Sequence, residues 1–239
     1  MRIVQLTLDC ADVGAQEDFY GGTLGLAVER DAEGALKVRL RSSTIRFRPA
    51  PPGTAPRYHF ALNVPRGSIE RAAAWLTGCH ELLAFHGDPE EREGATIVHT
   101  DRGIPATYFL DGAGNVVELI ANVRLENGGD CDGPDFGPED LLEIAEIGIA
   151  AADPRAASAA VEGFFGQEVL WGGAPGWLLT AIGDAHCVVI VAPLDRGWIP
   201  VGLPARPAPT EIVALGNEPR EMTLAEGPYV LRTVSDPRP

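Results

Sequence analysis

The chain has 239 residues, a formal net charge of −15 and a single lysine, Lys37, and this length suffices for one large domain or two small ones. An acidic surface repels phosphate groups, so neither nucleic acid nor an anionic membrane is an expected partner. No apolar run reaches the roughly 18 residues that span a bilayer, the four cysteines are scattered without a Cys-x-x-Cys pair, and the N-terminus enters a strand directly. We therefore expect a cytoplasmic protein without a zinc knuckle, a disulfide framework or a signal peptide.

The first predicted unit is a strand followed by a helix and three further strands. Asp12 is a suitable helix N-cap, and Gly25 ends the helix after about Leu24. The turn Asp31–Gly34 predicts a hairpin between two of the later strands. The strands are expected at 2–9, 26–31, 35–41 and 44–48, before a proline-rich connection at 49–56.

The second predicted unit repeats this order of elements. A strand that starts at Tyr58 leads into a helix at Ser68–Thr77, and Asp111–Asn115 is a tight turn between the last two strands. A repeat of this size is one supersecondary unit, so it indicates the architecture before any single residue does. The strands of this unit are expected at 58–64, 82–85, 105–110 and 116–121.

The second half of the chain reads as a reduced copy of the first. Residues 123–139 are rich in Gly, Asp and Pro, which is typical of a domain linker. A third unit follows, and what remains after it is too short for a complete fourth unit with a helix. We predict an N-terminal domain at 1–122, a linker at 123–140 and a partial domain at 141–239. The elements of the third unit are a helix at 154–165 and strands at 142–150, 168–171, 177–182 and 186–192, and the last strands lie at 210–215 and near 229–234.

The first strand of each unit has one apolar and one polar face, because strand neighbours point to opposite sides. Phe60 and Leu62 oppose His59 and Asn63 in the second unit. If the apolar face lies under the helix, a curved sheet leaves a polar concave face that forms a small-molecule cleft. The alternative is a second face that simply meets water, as in many antiparallel sheets.

The paired units and their short motifs resemble the vicinal oxygen chelate superfamily. The matching features are Phe19-Tyr20, Leu24-Gly25 and the closing pattern Asp-Gly-x-Gly-Asn-x-x-Glu at 111–118. That superfamily includes glyoxalase I, extradiol dioxygenases and bleomycin-resistance proteins. The resemblance implies an α+β fold of repeated βαβββ units, with curved mixed sheets, helices outside and two tandem glyoxalase-like domains, the second reduced.

The resemblance also implies a divalent metal site in the N-terminal domain. Family ligands lie on the first strand of each unit and on the last strand of the second, and those places hold Gln5, His59 and Glu118. They would hold Zn, Ni, Mn or Fe, with Glu118 also acting as a catalytic proton carrier. A further glyoxalase ligand place holds Arg46, which cannot ligate a metal, and the extradiol set is broken at Gln5. Glu146 and Glu211 occupy the corresponding places in the second half, where we expect no second metal site.

Three further side chains are candidates for substrate binding. Arg46 and Arg48 share a strand face and would anchor a carboxylate or phosphate if they point into the cleft, although they are equally typical of solvated edge charges or of ion pairs with Glu118. Tyr108 is a candidate cleft hydroxyl, and the alternative is a core residue. Trp198 is expected in the core or in the cleft wall.

Two functions remain open at the level of sequence. The first is a metal-dependent isomerase, lyase or dioxygenase that acts on a small molecule. The second is a metal-free protein that sequesters a small molecule, as bleomycin-resistance proteins do. The retained His59 and Glu118 favour the first and the broken ligand sets favour the second. A scaffold without any ligand is a third possibility, and a homodimer is open in each case.

Overall fold

The computed structural model describes residues 1–86, 94–99, 103–125, 135–174 and 178–235. Within these ranges the chain has three α-helices and 17 strands. The helices are α1 (Val13–Glu17), which continues into a π-helical segment (Asp18–Thr23), α2 (Ile69–Thr77) and α3 (Pro154–Phe165). The strands of the first two units are β1 (Ile3–Cys10), β2 (Val28–Arg30), β3 (Leu36–Arg39), β4 (Thr44–Pro49), β5 (His59–Asn63), β6 (Ile97–His99), β7 (Pro105–Leu110) and β8 (Val116–Ile120). The remaining strands are β9 (Glu143–Ala151), β10 (Val169–Gly172), β11 (Thr180–Gly183), β12 (Val188–Pro193), β13 (Gly197–Trp198), β14 (Leu203–Pro204), β15 (Thr210–Gly216), β16 (Arg220–Thr223) and β17 (Tyr229–Ser235).

Fifteen of these strands form one sheet made of four repeated units. In each unit the first and last strands lie side by side and parallel, as β1 with β4, β5 with β8, β9 with β12, and β15 with β17. The first three units carry a helix after their first strand, whereas the fourth has none between β15 and β17. The α+β architecture of repeated units with a reduced final copy is therefore confirmed.

The units pair across the two halves of the chain. Strand β1 lies antiparallel to β15, and β5 lies antiparallel to β9. The first and fourth units thus form one arm of the sheet, called here the first arm. The second and third units form the other, called the second arm. The arms meet where Ile3 of β1 pairs with Ile144 of β9. The proposed domain boundaries at 122 and 141 stay a prediction, because the hydrogen-bonded pairs of units run across them.

The core lies on the helical side of the sheet. Phe60 and Leu62 of β5 are fully buried in one cluster with Ile69 and Leu76 of α2. α3 packs on β9, β11 and β12 in the same way, with its apolar Val161 turned inward. Because side chains alternate along a strand, His59 of β5 and Glu118 of β8 lie on the opposite face of the sheet, away from the helices.

A tight turn at Asp111–Asn115 sets the position of β8. The buried Asp111 carboxylate accepts hydrogen bonds from Gln16 Nε2 at 2.7 Å and from Tyr20 Oη at 3.1 Å. Gly114 has a φ of +77°, which favours glycine, and a Cβ at Gly112 would lie 2.4 Å from the carbonyl oxygen of Ala15. The Asp-Gly-x-Gly-Asn pattern therefore locks the turn against α1 and fixes the start of the strand that carries Glu118.

The strands β6 and β16 were not expected from the sequence, and two further segments also differ from the expectation. The strand predicted at 82–85 does not form, because only Leu83 and Phe85 donate backbone hydrogen bonds, to Tyr108 and Ala95. The proline-rich connection after β12 contains the two-stranded sheet β13–β14. Two sequence predictions lie partly outside the described residues. They are the strand expected at 177–182, at its first residue, and most of the linker 123–140. No helix in the described ranges is long and apolar enough to cross a membrane.

Candidate metal centre

Three side chains converge on the non-helical face of the second arm. His59, Glu118 and Glu146 each offer one ligand atom, and these atoms all lie within 4.8 Å of one another. His59 Nε2 lies 3.7 Å from Glu118 Oε2. All three residues are buried, with 6%, 3% and 7% of their surfaces exposed. This is the one group of His, Cys, Asp and Glu donors close enough for a shared metal ion in the part of the chain that the structure describes.

The strand register explains why these three residues meet. Ala61 of β5 pairs with Glu118 on the parallel neighbour β8 and with Glu146 on the antiparallel neighbour β9. The two carboxylates therefore flank the same small residue, and His59 lies two positions away on the same face of β5. The small side chain of Ala61 leaves space between the three donors.

The hydrogen bonds around the cluster suit metal ligation. Glu118 Oε1 accepts a hydrogen bond of 2.7 Å from the hydroxyl of Tyr108, which leaves the second carboxylate oxygen directed at His59. His59 faces Glu118 with Nε2, whereas Nδ1, the other ring nitrogen, is buried without a hydrogen-bond partner of normal geometry among the described residues. Nε2 is therefore the nitrogen that can bind an ion shared with the carboxylates.

The electrostatics of the cluster point the same way. Burial lowers the pKa of His59 to about 4; the backbone of Val116 opposes this shift and the charge of Arg196 adds to it. The imidazole is thus neutral at pH 7, which is the protonation state that binds metals. Two carboxylates this close repel each other in a buried site, and a divalent cation between them relieves that repulsion. The donor set of one imidazole and two carboxylates therefore fits a divalent transition metal.

An aromatic wall closes one side of the cluster. The indole of Trp198 stacks on the imidazole of His59, with ring centroids 5.1 Å apart and an interplanar angle of 27°. Gly148 makes this packing possible, because a Cβ there would lie 2.6 Å from Trp198 Cη2. The guanidinium carbon of Arg196 lies 5.8 Å from the centroid of the Trp198 ring. The segment that contains Arg196 and Trp198 therefore covers the donors.

A small cavity lies on the other side of the cluster, next to Glu146. Its volume is about 20 Å³, enough for one water molecule. Its wall includes the amides Asn63 and Asn122 together with His186, so it is polar as well as narrow. This cavity gives one water molecule a place beside Glu146.

Gln5 does not join the cluster. Its strand β1 lies between β4 and β15, and its side-chain nitrogen donates to Thr7 Oγ1 at 3.2 Å. Glu146 stands in the cluster instead, because the second unit pairs with the third and not with the first. The position of Glu146 on the first strand of the third unit is visible in the sequence, but the pairing of the units is not. Trp198 was expected in the core or in the cleft wall, whereas Arg196 carries no sequence signal that connects it to the site.

Arg46 and Arg48 also lie in the first arm, where carboxylates of their own unit engage them. Arg46 forms ion pairs of 2.8 and 2.6 Å with Asp31 and Glu33. Arg48 forms an ion pair of 2.8 Å with Asp9. Strand β4, which carries both arginines, is separated from β8 by β1, β9 and β5. Among the three residues predicted to bind substrate, the structure brings Tyr108 to the cluster and leaves the two arginines in the other arm.

The corresponding positions of the first arm hold a different chemistry. Thr7 of β1 pairs with Arg46 on β4 and with Glu211 on β15, so it has the place that Ala61 has in the second arm. Arg232 lies 2.8 Å from Glu211. Two of these side chains are arginines, which cannot ligate a metal. The repeat thus keeps the geometry in both arms and the donor set in one.

The fold and these motifs agree with the comparisons. Residues 5–120 match the family model of the glyoxalase-like domain. A putative dioxygenase from Bacillus subtilis is structurally similar with a TM-score of 0.61, 15% identity, and coverage of 99% of this chain and 86% of that chain. Glyoxalase I from Zea mays is similar with a TM-score of 0.55, 12% identity, and coverage of 98% and 92%. Comparison with the curated proteins gives no match.

Residues 5–120, slightly less than half of the chain, resemble the glyoxalase-like domain. This resemblance agrees with the vicinal oxygen chelate fold expected from the sequence. At identities of 15% and 12% the structural similarity shows the fold and leaves the reaction open.

Proposed function

We propose that the protein is a metal-dependent enzyme of the vicinal oxygen chelate type, whose centre is formed by His59, Glu118 and Glu146. The observation that carries this proposal is the convergence of three buried donors around Ala61. The proposal replaces Gln5 by Glu146 in the ligand set. It concerns the second and third units together rather than the N-terminal domain alone.

The donor set bears on the identity of the metal. Imidazole nitrogen suits Zn, Ni, Fe and Mn, whereas carboxylate oxygen favours the harder ions of this group. One histidine with two glutamates therefore favours Mn²⁺ or Fe²⁺ over Zn²⁺ and Ni²⁺. Ile190 pairs with Gly148 on β9 and stands where a fourth ligand would come from β12. Three protein donors leave coordination positions for a substrate.

The residues around the centre have separate roles in this proposal. The metal would polarise two neighbouring oxygens of a small-molecule substrate and stabilise the anion that develops on it. Tyr108 orients Glu118 through the 2.7 Å hydrogen bond to Oε1. Glu118 Oε2 can accept a proton from the substrate, because it lies at the face of the cluster away from Tyr108. Trp198 excludes water from the His59 side.

The reaction belongs to the isomerase, lyase or dioxygenase chemistry of the superfamily. The similar solved structures include a protein named as a dioxygenase and one named as glyoxalase I. Each of these reactions requires a substrate with vicinal oxygens at a metal with open positions. We therefore propose screening of 2-hydroxy carbonyl compounds, thiol adducts of 2-oxoaldehydes, and catechols.

The metal content of purified protein tests the proposal. Protein prepared without chelator or nickel resin is measured by inductively coupled plasma mass spectrometry as wild type, His59→Ala and Glu118→Gln. We expect near-stoichiometric metal in the wild type and loss of most of it in both variants. Circular dichroism and thermal unfolding serve as controls that the variants are folded. Equal metal content in the three proteins would refute the site.

A metal-free binding protein is the second candidate function. The stacking of Trp198 over His59 favours it, because an aromatic wall also suits a flat organic ligand. This candidate predicts that wild-type protein neither contains nor takes up Mn²⁺, Fe²⁺, Zn²⁺ or Ni²⁺. Stoichiometric uptake that depends on His59 would exclude it.

A further inference from the structure

Arg196 is a half-buried cation next to the candidate centre that lacks an acidic partner. It lies directly before β13, and its guanidinium stands over the ring of Trp198. Among the described residues no carboxylate forms an ion pair with it. By contrast, Arg46, Arg48 and Arg232 are each paired with a carboxylate at 2.8 Å or less.

The position of Arg196 has an energetic cost. Burial lowers the pKa of Arg196, and the nearby Tyr108 acts in the opposite direction. A guanidinium that loses part of its hydration without gaining a carboxylate is unfavourable. Trp198, over whose ring the guanidinium stands, also stacks on the imidazole of His59. Arg196 is therefore separated from a donor of the candidate centre by a single aromatic ring.

We propose that Arg196 is a substrate-binding residue that pairs with a carboxylate on the molecule bound beside the metal centre. This inference rests on the proposed function and specifies its substrate class as organic acids that carry vicinal oxygens. The planar guanidinium forms two parallel hydrogen bonds to a carboxylate, and stacking on Trp198 holds it in one orientation.

The charge of the whole chain makes such a residue necessary for an acidic substrate. The formal net charge of −15 repels anions over most of the surface. A local cation beside the buried cluster would compensate for that repulsion where the substrate binds. The arginines first expected in this role, Arg46 and Arg48, are already neutralised by Asp31, Glu33 and Asp9.

A matched pair of probes tests the assignment. Catechol and 3,4-dihydroxybenzoate present the same vicinal oxygens to a metal and differ by one carboxylate. Their affinities are measured by isothermal titration calorimetry on Mn²⁺-loaded full-length protein as wild type, Arg196→Gln and Arg206→Gln. Arg206 is the control because it lies on the same segment, is 74% exposed in its side chain and is paired with Asp195 at 3.0 Å.

We expect wild type and Arg206→Gln to bind 3,4-dihydroxybenzoate about tenfold more tightly than catechol. Arg196→Gln should bind both probes equally while it keeps its metal. A preference for the carboxylate probe that persists in metal-loaded Arg196→Gln would overturn this inference but not the proposed function. The same holds if metal-loaded wild type binds the two probes equally or binds neither of them. A wild type that takes up no metal would instead overturn the proposed function.

Discussion

The hydroxyl of Tyr108 is the contact that orients the buried Glu118 in the proposed ligand set. It donates to one oxygen of Glu118 and leaves the other directed at His59. Groups that orient ligands in this way contribute strongly to metal affinity. We predict that Tyr108→Phe lowers the affinity for Mn²⁺ by about 10-fold to 100-fold, as measured by calorimetric titration.

Tyr58→Phe is the matched control for this prediction. The hydroxyl of Tyr58 is also engaged, since it accepts from the backbone nitrogen of Asp9 and donates to the carbonyl of Pro209. Its loss should cost about 1–2 kcal/mol of the free energy of unfolding and leave the metal affinity unchanged. An equal loss of affinity in the two variants would show that Tyr108 acts through stability alone.

The members of the buried cluster are only partly predictable from sequence. His59 and Glu118 could be singled out because the repeat and the Asp-Gly-x-Gly-Asn turn place them in the chain. Glu146 has the same local pattern as Gln5, namely a polar position on a first strand. The unit that lies beside β5 decides which of these two residues faces His59. A local sequence pattern does not show this long-range pairing.

At the level of elements, Gly148 of β9 governs how the covering segment packs on the cluster. An alanine Cβ there would lie 2.6 Å from Cη2 and 2.8 Å from Cζ2 of Trp198, so the indole would have to move away from His59. We predict that Gly148→Ala lowers the free energy of unfolding by about 1–3 kcal/mol, as measured by urea denaturation.

The control for that prediction is Gly163→Ala in the exposed face of α3. No atom would lie within 4 Å of the added Cβ, and alanine favours a helix interior over glycine by up to about 1 kcal/mol. Gly163→Ala should therefore raise the free energy of unfolding. If both substitutions raised the free energy of unfolding, or both lowered it, the packing of Trp198 against Gly148 would not explain the effect of Gly148→Ala.

The turn before β8 is a second element whose stability can be measured. Burial raises the pKa of Asp111, and the hydrogen bonds from Gln16 and Asn115 oppose that shift. Removing the carboxylate leaves several buried donors without an acceptor. We predict that Asp111→Ala lowers the free energy of unfolding by about 3 kcal/mol, as measured by denaturant titration.

The helix cap at Asp12 provides the comparison. Its side chain accepts from the backbone nitrogen of Ala15 at 2.9 Å in an exposed position, so Asp12→Ala should cost about 1 kcal/mol. A cost for Asp111→Ala no larger than that of the cap would contradict a structural role for the buried network.

Local patterns predicted most elements because they depend on neighbouring residues. The N-cap Asp12 and the helix ends were readable, since capping is a local hydrogen-bonding requirement. The prediction of a strand at 82–85 is wrong. Leu83 and Phe85 each donate one backbone hydrogen bond, but to two different segments, so no continuous partner strand lies beside them. Likewise the pair β13–β14 inside a proline-rich segment was not predicted, because the packing of Trp198 on His59 is a tertiary contact that no local pattern shows.

At the scale of the whole molecule, the repeat determines the site through its pairing. The second arm places strands from both halves of the chain around one cluster. The first arm repeats the same register with Arg46 in the place of Glu118 and Gln5 in the place of His59. The sequence predicts four similar units, but each of the possible pairings satisfies the same alternation of apolar and polar residues. The choice of pairing is therefore the part of the fold that sequence reasoning could not supply.

The central claim is that the second and third units together form the metal centre, and the metal content of two variants tests it most directly. Wild type, Glu146→Gln and Gln5→Ala are purified side by side, incubated with Mn²⁺, desalted and measured by inductively coupled plasma mass spectrometry. We predict near-stoichiometric metal in the wild type and in Gln5→Ala, and loss of most of it in Glu146→Gln. Retention of metal by Glu146→Gln together with its loss from Gln5→Ala would contradict the account.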